Sequence, residues 1–110
     1  RTNERVSGLY DSMHPAVLRL VADVIRAGRA AGRWVGMCGE LAGDPLAVPI
    51  LLGLGLEEFS MSPPALPRVK EVLRSLTLPE AQAVAQEALH QPDAQAVRRL
   101  IRERFPQTAG

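Results

Sequence analysis

Apolar residues recur at helical spacing from Pro15 to Ala31. Val17, Leu18, Val21, Val24 and Ile25 fall toward one side, while Arg19, Asp23 and Arg26 fall toward the other. This period predicts an amphipathic helix over 15–31. Pro15 suits the first turn, where a missing N–H costs nothing, and Gly32 suits the stop. The pattern then changes. "RWVGMC", Arg33 to Cys38, is an apolar run of strand length that ends in a glycine-broken loop. Asp44-Pro45 predicts the next helix start, with Asp44 as N-cap and Pro45 at the first helical position. That helix, 45–54, is apolar on nearly all sides and is expected to be buried, with Pro49 keeping its first turn irregular.

"EEFSM", Glu57 to Met61, predicts a second short strand. It feeds the loop "SPPALP" and a helix over 65–75 with Val69, Val72, Leu73 and Leu76 as its stripe. Thr77 with Glu80 forms a capping box, in which each side chain satisfies a free backbone N–H of the other residue. Leu78, Ala81, Ala85, Ala88 and Leu89 continue that helix to Gln91. Pro92-Asp93 opens a last helix carrying Val97, Leu100 and Ile101, Pro106 ends it, and "QTAG" reads as a frayed end. Strand–loop–helix thus occurs twice after an opening helix, which argues for an α/β fold with parallel strands and crossover helices. Two strands alone do not make a stable parallel sheet, because such sheets are covered on both faces. The opening "RTNERVSGLY" is charged and lacks a methionine. Both features lead to the expectation of a piece of a longer chain.

Composition narrows the classes. The chain has 110 residues, 46% of them hydrophobic and 23% charged, which suits one globular domain or part of one. Net charge is +1, and basic residues alternate with acidic ones, so the basic stripe of a nucleic-acid surface is not evident. The longest apolar stretch, Leu46 to Leu56, is interrupted by Pro49, Gly53 and Gly55 and is too short to span a bilayer. Residues 1–15 lack the apolar core of a signal peptide. Cys38 is the only cysteine; it forms no internal disulfide and fits a reducing cytoplasm.

Cys38 is also the candidate for chemistry. It falls at the predicted C-terminal end of a strand, where α/β barrels and open sheets carry active-site groups. A free thiol, with a pKa of about 8.5, is mostly protonated near neutrality and gives up its proton readily, which suits a general acid. Packing is the competing reading, since free cysteine is among the most buried residue types. A redox thiol lacks a second cysteine to resolve it, and a nucleophile lacks a neighbouring histidine, because His14 and His90 have no local relation to Cys38. Neither CxxC nor HxxxH is present, and Gly36, Gly39 and Gly43 make no nucleotide fingerprint. Glu40 suits a loop-holding role and Asp44 a helix cap, with backbone N–H groups near Asp44 offering an anion site.

"GMCGELAGDP" followed at short range by "LLGLGLEEFSMSPPALPRVK" resembles the C-terminal end of phosphoenolpyruvate–protein phosphotransferase, Enzyme I of the bacterial sugar phosphotransferase system. The likeness runs upstream through "RTNERVSGLYDSMHPAVLRLV" and downstream through the helical tail. Related pyruvate phosphate dikinases share a similar cysteine loop, but typically with histidine after the glutamate, where this chain has Leu41. The resemblance implies a fragment of a (β/α)8 TIM barrel, the last two βα units over 1–76 and a terminal helical extension over 77–110. It implies that Cys38 protonates the enolate of phosphoenolpyruvate to pyruvate. Arg1, in "RTN", matches an arginine that binds phosphoenolpyruvate, a task its fork suits. It further implies a cytoplasmic, Mg²⁺-dependent parent with magnesium ligands outside this chain, transfer through an enzyme histidine to the carrier HPr, and a homodimer of the full-length enzyme. The expectation for the isolated chain is inactivity, and the competing class is a non-catalytic interaction module.

Overall fold

The computed structural model describes residues 11–33, 35–38 and 41–108. Helix α1 spans Pro15–Ala30 and buries Leu18, Ala22 and Ile25, a spacing of four and three residues that defines one face. His14 caps its start, its Nδ1 accepting the Ala16 N–H at 3.0 Å. Gly32, just past the C-cap, takes φ 69°, a left-handed turn open to glycine without strain. The buried stripe runs nearer Ala22 than the sequence pattern indicated. Val24, expected inside, is 62% exposed, as is Leu20 at 66%.

Strand β1 is Gly36–Cys38 and strand β2 is Glu58–Ser60. They pair in parallel, with Gly36 opposite Glu58, Met37 opposite Phe59 and Cys38 opposite Ser60. The parallel alternation expected from the sequence is therefore present as a two-stranded sheet, and the fold is α/β with helix predominating.

The connection between the strands corrects one boundary. Helix α2 spans Val48–Leu54 and does not begin at Pro45. A helix from 45 would put Pro49 in its interior, where proline removes an N–H and clashes with the carbonyl four residues back. Starting at Val48 leaves Pro49 in the first turn. Residues before it form turns instead, with Asp44 N–H donating to the Leu41 carbonyl and Ala47 N–H to the Asp44 carbonyl.

After β2, a 3₁₀ turn at Pro63–Ala65 leads into helix α3, Leu66–Arg74. Helix α4 spans Leu78–Leu89 and carries the expected capping box: Thr77 N–H donates to Glu80 Oε1 at 3.1 Å, and Glu80 N–H to Thr77 Oγ1 at 3.4 Å. Helix α5 spans Ala94–Arg104, with Asp93 Oδ1 accepting the Ala96 N–H at 2.8 Å.

The main apolar cluster joins Met13, Leu18 and Ile25 to Ala47, Ile50 and Leu51 of the connection between the strands and to Val84, Ala85, Val97 and Ile101 of the last two helices. A smaller one joins Val48 to Val69 and Val72. Leu78, placed by its spacing on the inner stripe of α4, is half exposed because it sits in the first turn beside Thr77. The tail departs from the frayed end expected of it. Thr108 is buried with its hydroxyl donating to the Phe105 carbonyl at 2.7 Å, Gln107 Nε2 donates to Ser75 Oγ at 3.1 Å, and Arg68 donates to the Gln107 carbonyl. Gln107 is thereby fastened to α3 and the residue that follows it, while Thr108 turns back on Phe105; Ala109 and Gly110 lie outside the described residues.

Candidate functional site

Cys38 is the last residue of β1, level with Ser60, the last residue of β2. Both strands run the same way, so both following loops leave from one edge of the sheet. Arg1 and Glu40 lie outside the described residues.

The loop after Cys38 re-enters the described residues at Leu41 and is shaped by Asp44. Its Oδ1 accepts the Leu46 N–H at 3.0 Å, while its own carbonyl accepts the Ala47 N–H at 2.9 Å. Asp44 therefore caps a turn ahead of α2, not the helix itself. The N–H groups of Leu46 and Ala47 are already satisfied by Asp44, which corrects the expectation that they offer an anion site. Ala42 and Ala47, on either side of Asp44, are fully buried. The loop is thus pinned to the core at two small residues.

A charge pair not legible in the local sequence stands near this loop. Arg98, on α5, grips Asp11 with two hydrogen bonds, Nη1 to Oδ2 at 2.7 Å and Nη2 to Oδ1 at 2.8 Å. Asp11 Oδ1 also accepts the Met13 N–H at 3.0 Å. The Arg98 hydrogen bond, with help from Met13 N–H and the Arg98 charge, holds the Asp11 carboxyl below its ordinary range against a partial desolvation. Reciprocally, the Asp11 hydrogen bond, then the charges of Asp11 and Asp44, raise Arg98. The residues are 87 positions apart, so no window of sequence joins them.

His14 and His90 remain structural. The first caps α1, and the second follows α4 with its Nδ1 2.8 Å from the Gln86 carbonyl oxygen. Among the described residues, no three His, Cys, Asp or Glu side chains come together to hold a metal ion, so they do not fit as a magnesium site. A groove of about 650 Å³ between α1, α2 and α4, lined by Arg26, Arg29, Leu54, Leu78 and Gln82 among others, shares no residue with the stretch from Cys38 to Ala47. No helix of the described residues is long and apolar enough to cross a membrane.

The class that the fold defines is an α/β unit in which Cys38 and Ser60 end two parallel strands side by side. Residues 1–78 match the family described as "PEP-utilising enzyme, PEP-binding domain", and the chain belongs to that family. Among curated relatives, it is 50% identical over 103 residues to the phosphoenolpyruvate-protein phosphotransferase of Haemophilus influenzae, a match covering 94% of this chain and 18% of that protein. It is 47% identical over 103 residues to the enzyme of the same name from Staphylococcus carnosus, again 94% and 18%. Against that of Bacillus subtilis it is 46% identical over 105 residues, 96% of this chain and 18% of that protein. The chain thus spans under a fifth of the length of these relatives.

Proposed function

We propose that this chain is the C-terminal part of the phosphoenolpyruvate-binding barrel of a phosphoenolpyruvate–protein phosphotransferase. Residues 1–76 supply the last two βα units and residues 77–110 a helical extension of the same domain. One observation carries the reading: Cys38 ends a strand of a parallel pair, in a chain half identical to an enzyme of that name over 94% of its length. The relatives' shared name favours this over a dikinase.

In this reading the phosphoryl group of phosphoenolpyruvate passes to a histidine of another segment of the parent. Breaking the C–O–P linkage leaves an enolate. Its methylene carbon takes the proton of the Cys38 thiol, which gives pyruvate and a thiolate, and solvent returns the proton to sulfur. A strand terminus suits this task because the pleat fixes the Cα while the loop keeps the edge reachable. Arg1 pairs with phosphate or carboxylate oxygens of the substrate through its planar fork. The magnesium ion and its acidic ligands belong to other segments, as do the histidine, the contact with HPr and the pairing into a homodimer. Phosphoryl transfer is mostly positioning and charge neutralisation, so the isolated chain is expected to be inactive.

The test is a chimera in which this chain replaces the matching segment of the Haemophilus influenzae enzyme. It is expected to form pyruvate from phosphoenolpyruvate. Cys38→Ala is expected to slow pyruvate formation by about 100-fold or more while phosphoenolpyruvate binding changes little, the signature of a lost general acid. Equal loss of rate and binding, or no loss, overturns the assignment.

A further inference from the structure

Helix α1 carries more apolar surface than this chain covers. Leu18, Ala22 and Ile25 face the main cluster. At about 100° per residue, Val21, Gly28 and Val17 follow on one side of that face, then Val24 and Leu20. Arg26, Arg19 and Ala30 follow on the other side. Burial fades along the apolar side in that order: Val21, Gly28 and Val17 are half-buried, and Val24 and Leu20 are exposed. Apolar residues scattered singly on a surface are ordinary, but a continuous flank of this kind marks a surface that something covers.

The same side of α1 meets the chain entering β1. A Cβ built on Gly28 would stand 2.2 Å from Val35 Cγ2, so the helix lies against the residue that leads into the strand. Strand β1 bonds to β2 on one flank, and no strand among the described residues bonds to its other flank. Parallel strands are joined by crossover helices. Helix α2 is the crossover from β1 to β2, and α1 holds the same place ahead of β1. The match covers 18% of the Haemophilus influenzae enzyme, so most of that protein lies outside it.

We propose that the flank of α1 carrying Val17, Val24 and Leu20 is the seat of a helix–strand pair supplied by another segment of the parent. The strand of that pair runs parallel to β1 along its other flank and lies beneath Val17 and Val24. The helix sets an apolar stripe against Leu20. The inference rests on the barrel reading proposed above. Main-chain N–H and C=O groups on the flank of β1 call for a strand, and side chains without polar atoms call for an apolar stripe. The seat also accounts for the exposure of Val24. The sequence period through Val17, Val21 and Val24 describes a helix covered on two sides, whereas this chain covers the side of Leu18, Ala22 and Ile25.

The test labels thiols with iodoacetamide in two settings, the 110-residue chain and the chimera described above. Val24→Cys is expected to react freely in the chain and about 100-fold more slowly in the chimera, as covering demands. Ala30→Cys, on the opposite side of α1, is expected to react freely in both. Peptide masses separate position 24 from Cys38. Leu20→Gln is expected to leave the melting temperature of the chain within about 2 °C and to lower that of the chimera by about 5 °C or more. Equal shifts in the two settings overturn the proposal. Fast labelling at position 24 in a chimera that makes pyruvate overturns it as well, and leaves the proposed function standing. Protection of position 24 in the chain alone that vanishes on dilution means that two copies meet there, and also overturns it. Protection in a chimera that makes no pyruvate upholds the seat while the proposed function fails.

Discussion

Gly53 of α2 lies directly against the backbone of Ala81 in α4. A Cβ built on Gly53 would stand 2.1 Å from the Ala81 carbonyl oxygen and 2.8 Å from the Ala85 methyl. Neither neighbour can swing away, since one is helix backbone and the other a side chain with no rotatable bond. This closeness lets the two helices pack backbone to backbone. Gly53→Ala is therefore expected to cost about 3 kcal/mol, at the upper end of overpacking effects, despite the better helix propensity of alanine. Urea unfolding of the two proteins reads the difference; a stabilised variant contradicts the contact.

Adjacent residues on α1 separate buried from exposed. Ile25 is 1% exposed, and Ile25→Ala is expected to lose about 3 kcal/mol through lost burial and the cavity left behind. Val24 is 62% exposed, and Val24→Ala is expected to stay within about 0.5 kcal/mol. Thermal unfolding of both variants checks the face.

The sequence led to the opposite expectation for Val24, and the reason is physical. A valine at helical spacing from Val17 and Val21 fits an inner stripe by period alone, but α1 turns Ala22 inward, and alanine allows the close approach. The Asp44-Pro45 signal also misled, because Pro49 moves the helix start to Val48, but several other local signals held. Pro15, Gly32, Thr77 with Glu80 and Asp93 each act through neighbours within four residues, so their roles could be read directly. The parallel direction of the two strands followed from the alternation of elements, while the register that sets Cys38 opposite Ser60 did not. Arg98 with Asp11, and Gln107 with Ser75, could not be read, because tertiary folding alone brings them together.

The capping box at α4 makes a sharper local claim. Thr77 Oγ1 lies 2.7 Å from Glu80 Oε1 and also accepts the Glu80 N–H. Thr77→Ala removes that acceptor and is expected to cost about 1 kcal/mol, with Thr77→Ser recovering most of it. Denaturant midpoints at constant slope provide the measure.

Acid should release the Asp11–Arg98 pair. The folded-state pKa of Asp11 lies below the ordinary aspartate value of 3.8, chiefly because of the Arg98 hydrogen bond, with His14 adding a smaller charge effect. A depressed carboxylate contributes stability that is fully present above the unfolded value and is lost as pH falls through the folded one. Wild type is thus expected to exceed Asp11→Asn in stability by a constant margin above that range, and the margin is expected to shrink below pH 3.8. Unfolding midpoints of both proteins across acid pH test this. A margin that grows on acidification contradicts the pairing.

Among the described residues, each strand of the sheet has a single hydrogen-bonded neighbour. The outer flank of Gly36–Cys38 and that of Glu58–Ser60 therefore remain as lanes along which more strands can join. Main-chain bonding there is indifferent to which side chains the newcomer carries. Two open backbone seams let this pair sit in the interior of a wider sheet, with a further strand bonded along each side.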